Sequence, residues 1–125
     1  MKRVLLIDDE PDFTAAAMIN LESTGMYEVE VVNDPRVALV KALEFQPDII
    51  LLDVIMPAID GGDVLTLLRS HQQLQDVPVV LVTGIVKMDD TAGGLGVAEE
   101  EGQIMLAKPV SLDMVIKVID KVLND

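Results

Sequence analysis

Acidic side chains follow two of the short apolar runs in this sequence. Asp8 and Asp9 come directly after Val4–Ile7, and Asp53 comes directly after Ile49–Leu52. Carboxylate oxygens are the ligands that hard divalent cations such as Mg²⁺ prefer in proteins. Carboxylates that are packed together repel one another unless a cation joins them. If folding brings these acids together, we expect them to form a magnesium site.

Two further apolar runs end in side chains that suit an anion. Thr83 follows the run 77–82 and offers a hydroxyl, and Lys108 follows the run 103–107 and offers an ammonium group. Beside a bound cation, these two groups could hold the oxygens of a phosphoryl group. Each residue alone has an ordinary interpretation as a cap or a loop residue. Their joint occurrence, each at the end of its own run, favours phosphoryl chemistry.

Short apolar runs alternate with longer segments of helical period, which is typical of a parallel sheet with crossover helices. Because the carboxyl ends of parallel strands lie along one edge of a sheet, the candidate residues should converge on one crevice there. The predicted strands are 4–7, 27–32, 49–52, 77–82 and 103–107. The predicted helices are 11–23, 35–45, 63–73 and 111–123, with a fifth that is short or late within 84–102 and a solvated helix end at 99–101.

Length and composition limit the classes of protein to consider. The 125 residues suit one domain, 1–125, and the net charge of -13 argues against direct binding to nucleic acid or anionic lipid. The chain has no cysteine, so disulfides, thiolate metal sites and cysteine nucleophiles are excluded. The apolar runs are too short for a signal peptide or a membrane span, so a cytoplasmic location is expected.

The sequence resembles the receiver domain of bacterial response regulators along essentially its whole length. Four segments carry the resemblance, in the expected order and spacing: LLIDDE, LLDVIMPAIDG, VVLVTG and LAKP. The resemblance implies an α/β fold of the flavodoxin-like, doubly wound kind, with a five-stranded parallel sheet in the order 2-1-3-4-5 and about five helices.

The resemblance also implies roles for individual residues. Asp53 would be the phosphoacceptor, and Asp9 would bind Mg²⁺ directly, with Asp8 assisting. The backbone carbonyl of Ile55 would be a further ligand. Thr83 and Lys108 would contact the phosphoryl oxygens, and the bond from Lys108 to Pro109 would be cis.

The implied function is that of a phosphoacceptor in a two-component phosphorelay. A sensor histidine kinase or a phosphotransfer protein would supply the phosphoryl group, and the domain would then control an output domain or a target protein. Such a receiver is not an enzyme beyond its own phosphorylation and slow dephosphorylation. A homodimer is a further expectation, and Met114 and Val118, at the margin of the last helix's apolar face, could contact another subunit.

Three positions depart from the family pattern or affect the lifetime of the phosphorylated form. Met105 occupies the position where the family usually has the aromatic residue of its switch, so the usual switch is in doubt. Ile55 and Ile85 are apolar where polar side chains can position a hydrolytic water. Slow self-dephosphorylation is therefore expected.

Other functions fit the sequence less well. A receiver-like module that signals without phosphorylation usually lacks an acid or the lysine, and both are present here. A phosphatase with an aspartyl nucleophile needs two acids separated by one residue, whereas Asp8 and Asp9 are adjacent. A flavin-binding protein of similar topology needs a hydroxyl-rich phosphate loop, where Glu10 and Asp12 would repel a phosphate.

Overall fold

A computed structural model describes residues 1–53, 61–83, 97–100, 103–107 and 111–124. The described strands are β1 (Lys2–Ile7), β2 (Tyr27–Val32), β3 (Ile49–Asp53), β4 (Val79–Thr83), β5 (Val97–Glu100) and β6 (Gln103–Ala107). The helices are α1 (Pro11–Glu22), α2 (Ala38–Phe45), α3 (Gly61–Arg69) and α4 (Leu112–Asn124), with a 3-10 turn at Pro35–Val37. In the described part of the chain, no helix is long and apolar enough to cross a membrane.

The strands form one sheet in the order β2-β1-β3-β4-β6-β5. Four pairs of neighbouring strands are parallel: β2 with β1, β1 with β3, β3 with β4, and β4 with β6. These pairs confirm the predicted five-stranded parallel sheet in the order 2-1-3-4-5, in which β6 is the predicted fifth strand. Parallel neighbours need crossover connections. Among the described residues, α1 lies between β1 and β2, α2 between β2 and β3, and α3 between β3 and β4. The carboxyl ends of β1, β3, β4 and β6 therefore share one edge of the sheet.

The strand β5 was not predicted. It pairs with β6 in the antiparallel direction and adds a sixth strand at the edge of the sheet. Glu99 lies opposite Ile104 and Glu100 lies opposite Gln103. The prediction of a helix end at 99–101 is therefore wrong for its first two residues. The rest of the predicted fifth helix, within 84–102, lies outside the described residues.

The sheet separates two clusters of buried side chains. On one face, β1 and β3 pack with α1 and α4, through residues such as Leu21 and Ile119. On the other face, the alternate strand residues pack with α2 and α3, through residues such as Ala42 and Leu68. All five residues of β3 are buried, as expected for a central strand covered on both faces. In contrast to the expected contact with another subunit, Val118 is buried in the first cluster, and Met114 packs against it.

Local signals explain where several helices begin. Pro11 occupies the first turn of α1. Backbone N–H groups in the first turn have no partner within the helix, so the missing N–H of proline costs no helical hydrogen bond. The Oγ of Ser111 accepts a hydrogen bond from the backbone N–H of Met114 at 3.2 Å, so Ser111 caps α4. The carboxylate of Asp34 accepts from the backbone N–H of Arg36 at 3.0 Å. The predicted helix 35–45 therefore begins as a 3-10 turn and continues as α2.

The third helix begins and ends earlier in the sequence than predicted. Helix α3 ends at Arg69 rather than near residue 73. The chain turns directly after it, since the backbone N–H of Leu74 donates to the carbonyl of His71 at 2.9 Å. The guanidinium of Arg69 donates to the carbonyl of Val77 at 2.6 Å and ties this turn to the approach to β4.

Candidate functional site

The neighbouring strands β1 and β3 bring two acidic residues to the carboxyl edge of the sheet. The last pair in their register is Ile7 opposite Leu52, so Asp8 and Asp53 each follow it by one residue. Both acids are almost completely buried, with 2% of Asp8 and 3% of Asp53 exposed. Ionised carboxylates are costly to bury unless a positive partner or hydrogen bonds offset the lost hydration. This edge of the sheet is therefore suited to a cation.

Four acidic residues contribute to the same cluster. One carboxylate oxygen from each of Asp8, Asp9, Glu10 and Asp53 lies within 4.8 Å of the others. Asp9 is half-buried and Glu10 is exposed, so the cluster opens to solvent on the side of the loop after β1. The predicted convergence of Asp8, Asp9 and Asp53 is confirmed. Glu10 was not predicted as a member, although its place as the third consecutive acid was a signal for it.

The chemistry of these side chains fits a hard divalent cation. All four offer carboxylate oxygens, which Mg²⁺ prefers, and the described residues contribute no cysteine or histidine to the cluster. Like charges at these separations repel strongly in a partly buried environment, and a divalent ion would offset that repulsion. The cluster could therefore hold a metal ion.

The backbone between β1 and α1 is held by several hydrogen bonds. The backbone N–H of Asp8 donates to the carbonyl of Val32 at 3.0 Å. The backbone N–H of Glu10 donates to Oδ1 of Asp8 at 2.9 Å. The side-chain amide of Asn33 donates to the carbonyl of Asp8 at 2.8 Å and to Oγ1 of Thr14 at 2.9 Å. Asn33 and Thr14 were not among the predicted site residues.

The ends of β4 and β6 complete the edge of the sheet. Val82 lies opposite Asp53, so Thr83 follows at the end of β4, and Thr83 in turn lies opposite Ala107 at the end of β6. The backbone position of Thr83 thus agrees with its predicted place at this edge. Ile55, Lys108, Ile85 and the predicted cis bond before Pro109 lie outside the described residues, so the roles assigned to them stay predictions.

Met105 occupies the middle of β6, opposite Leu81 of β4. It is partly buried and packs against the core cluster on the α2 and α3 face of the sheet. An unbranched thioether side chain can adopt several shapes in such a position. Met105 is therefore a flexible apolar residue that fills space beside the middle of β4.

Comparison with known proteins agrees with this arrangement. Residues 4–120 match the family model described as the response regulator receiver domain. The chain is 37% identical over 110 residues to the transcriptional regulatory protein PrrA of Mycobacterium tuberculosis, covering 88% of this chain and 45% of that protein. It is 33% identical over 113 residues to the DNA-binding dual master transcriptional regulator RpaA of Synechocystis, covering 90% of this chain and 45% of that protein. The chain thus spans about half the length of these relatives.

Solved structures show the same fold. The chemotaxis protein CheY4 of Vibrio cholerae superposes with a TM-score of 0.81 at 28% identity, covering 98% of this chain and 99% of that one. The receiver domain of the hybrid histidine kinase CckA superposes with a TM-score of 0.76 at 29% identity, covering 97% and 98%. Together with the sheet order and the carboxylates at the ends of β1 and β3, these matches show that the chain belongs to the response regulator receiver domain family of two-component signalling.

Proposed function

We propose that this receiver takes a phosphoryl group onto Asp53 in a reaction that depends on Mg²⁺. The observation that carries the proposal is the position of the Asp53 carboxylate, which is buried at the end of β3 and within 4.8 Å of the other acids in the cluster. The Asp53 carboxylate is thus held beside the proposed cation site and is shielded from solvent. It can therefore act as a nucleophile whose product is stabilised where it forms.

The acidic residues would have two roles, namely binding the cation and attacking phosphorus. Asp8, Asp9 and Asp53 would hold Mg²⁺, with the backbone carbonyl of Ile55. A bound Mg²⁺ would supply positive charge against the carboxylates and the phosphoryl oxygens. An Asp53 oxygen forms the new bond to phosphorus while the phosphorus–nitrogen bond of a phosphohistidine donor breaks and its electron pair returns to the imidazole.

Two further side chains would act on the phosphoryl oxygens. The hydroxyl of Thr83 would donate a hydrogen bond to one of them, and the ammonium group of Lys108 would neutralise charge on another. Phosphorylation adds negative charge at the edge of the sheet, and a shift of the segment after Thr83 would transmit the change to another surface. Ile55 and Ile85 provide no polar group to orient a hydrolytic water, so spontaneous dephosphorylation should be slow.

The partners follow from this chemistry. A sensor histidine kinase or a phosphotransfer protein would donate the phosphoryl group, and an output domain or separate target would respond to it. The relatives RpaA and PrrA are named as transcriptional regulators and are about twice as long as this chain, which fits an output function outside the receiver. We also propose a cytoplasmic location and assembly as a homodimer.

The proposal is tested by incubating the protein with acetyl phosphate, with and without Mg²⁺, and measuring the intact mass. We expect the addition of one phosphoryl group, only when Mg²⁺ is present. Asp53→Asn should abolish the addition, whereas Asp12→Asn, which removes an exposed carboxylate from the first turn of α1, should leave it unchanged. A folded wild-type protein that takes up no phosphoryl group would instead favour an interaction module that works without phosphorylation.

A further inference from the structure

We propose that Asn33 and Thr14 are positioning residues that hold the Asp8–Glu10 segment in its metal-binding arrangement. The inference rests on the proposed Mg²⁺-dependent function, and neither residue touches the phosphoryl group or the cation in it. We call the pair the Asn33–Thr14 latch. It joins the residue after β2 to the first turns of α1, across the segment that carries Asp9.

The latch uses both hydrogens of one side-chain amide. The Nδ2 of Asn33 donates to the backbone carbonyl of Asp8 at 2.8 Å and to Oγ1 of Thr14 at 2.9 Å. The hydroxyl of Thr14 in turn lies 3.3 Å from the carbonyl of Glu10 and 3.2 Å from that of Pro11, and it can donate to either. The hydrogen-bonded chain therefore runs from Asp8 through two side chains to the residues directly after Asp9.

These hydrogen bonds involve the residues directly before and after Asp9. The carbonyl of the preceding residue is fixed by Asn33, and the carbonyl of the following residue is within reach of Thr14. Hydrogen bonds thus restrain the backbone on both sides of Asp9. The direction in which the Asp9 carboxylate projects is therefore limited by the latch.

Electrostatic repulsion gives the latch a function. Four carboxylates lie within 4.8 Å of one another, and three of them belong to the consecutive residues of this segment. In the absence of a cation, their repulsion favours conformations in which the segment moves away from Asp53. Hydrogen bonds to its backbone oppose that movement, so the ligands remain arranged for the ion before it arrives. Binding then requires less reorganisation.

The burial of the two latch residues differs in a way that aids the test. Thr14 has only 1% of its surface exposed, so its hydroxyl forms hydrogen bonds in a largely dry environment. Asn33 is an exposed residue, and shortening it removes the amide without opening a cavity in the core. Asn33→Ala is therefore a mild change structurally, while Thr14→Val removes a buried hydroxyl at nearly constant shape.

The test measures the Mg²⁺ affinity of the unphosphorylated protein by isothermal titration calorimetry. We expect Asn33→Ala to raise the dissociation constant for Mg²⁺ about tenfold, the lower end of the range for residues that orient metal ligands. Asn20→Ala, the same change at an exposed position of α1, should leave it unchanged. Thr14→Val should weaken binding, and Thr14→Ser, which keeps the hydroxyl, should restore it towards the wild-type value.

A second measurement separates positioning from general damage to the fold. For Asn33→Ala, the rate of phosphoryl uptake from acetyl phosphate should require more Mg²⁺ for half its maximum but reach the wild-type rate at saturation. An Asn33→Ala protein with the wild-type Mg²⁺ affinity would overturn the latch alone, even if the Thr14 variants do not fold. A wild-type protein that binds no Mg²⁺ would overturn the proposed function and the latch together.

Discussion

The carboxylates of Asp8 and Asp53 extend from neighbouring parallel strands, and an oxygen of one lies within 4.8 Å of an oxygen of the other. Both residues are almost fully buried. The pairing of β1 with β3 fixes this proximity, because Ile7 and Leu52 are partners in the register. The main chain thus holds two negative charges together, and neither can move away without disturbing the centre of the sheet. The repulsion between these two charges should therefore lower the free energy of unfolding of the metal-free protein.

Removing one of these charges should stabilise the metal-free protein. We expect Asp53→Asn to increase the free energy of unfolding in EDTA by about 1–3 kcal/mol, from repulsion between charges at this distance in a partly buried site. Urea denaturation measures it. Asp12→Asn is the matched control, and its effect should stay within about 0.5 kcal/mol because the residue is exposed. A less stable Asp53→Asn protein in EDTA would show that repulsion is not the dominant contribution of this carboxylate.

Mg²⁺ should stabilise the wild-type protein in proportion to its binding. At about ten times the dissociation constant, the expected gain in the free energy of unfolding is about 1.4 kcal/mol. Thermal denaturation with MgCl₂, compared with NaCl at equal ionic strength, separates specific binding from screening. EDTA should reverse the gain, and Asp9→Asn should greatly reduce it. An equal increase in melting temperature from both salts would contradict a specific site in the cluster.

The single tyrosine of the chain should titrate at unusually high pH. Burial raises the pKa of Tyr27 above its ordinary value of 10.0, and the negative charge of Asp120 raises this pKa further. With no tryptophan in the chain, ultraviolet absorbance reports the ionisation of Tyr27 directly. Asp120→Asn should lower the midpoint only in part, because burial is the larger cause. A midpoint at or below that of free tyrosine would contradict this environment.

The same shift predicts how stability depends on alkaline pH. The folded state binds the phenolic proton more tightly than the unfolded state does, so the contribution of Tyr27 is fully present below the ordinary tyrosine pKa. It is lost as the pH rises through the raised pKa of the folded state. Tyr27→Phe should therefore lose less stability than the wild type over this alkaline range, as measured by urea denaturation at a series of pH values.

Two apolar residues of α1 should respond very differently to truncation. Leu21 is fully buried against the sheet, whereas Ile19, two residues earlier in the same helix, is 67% exposed. Leu21→Ala should lower the free energy of unfolding by about 2–5 kcal/mol through lost burial and the cavity left behind. Ile19→Ala should change it by no more than about 0.5 kcal/mol. Similar losses for both variants would mean that α1 packs on the sheet through a different face.

The parallel sheet was predictable because its strands carry strong local signals. Ile49–Leu52 is apolar at every position, which indicates a strand buried on both faces, and Tyr27–Val32 alternates as a half-covered edge strand does. Once the strands are parallel, their carboxyl ends share an edge, so the meeting of Asp8 with Asp53 follows from topology. No detailed knowledge of side-chain packing was needed for this part of the site.

The features that were missed depend on contacts that the preferences of single residues do not indicate. Ala98, Glu99 and Glu100 have weak preferences for β-structure, and β5 forms because β6 offers a partner. The hydrogen bond from Asn33 to Asp8 joins residues 25 positions apart, and no periodicity in the sequence indicates it. Glu10 belongs to the cluster because of the path that the backbone takes after β1. Only the hydrogen bond of Asn33 depends on distant parts of the chain, whereas β5 and Glu10 depend on the path of the nearby backbone.

The antiparallel strand β5 has a consequence for how two copies of the domain could associate. It occupies the outer backbone edge of β6, whose other edge is already paired with β4. The main-chain groups along β6 are therefore not open to strand addition from a second molecule. A continuous intermolecular sheet would have to grow from β5 or from β2 at the opposite edge. A dimer that pairs main-chain groups on this side of the sheet must therefore use β5, or first displace it from β6.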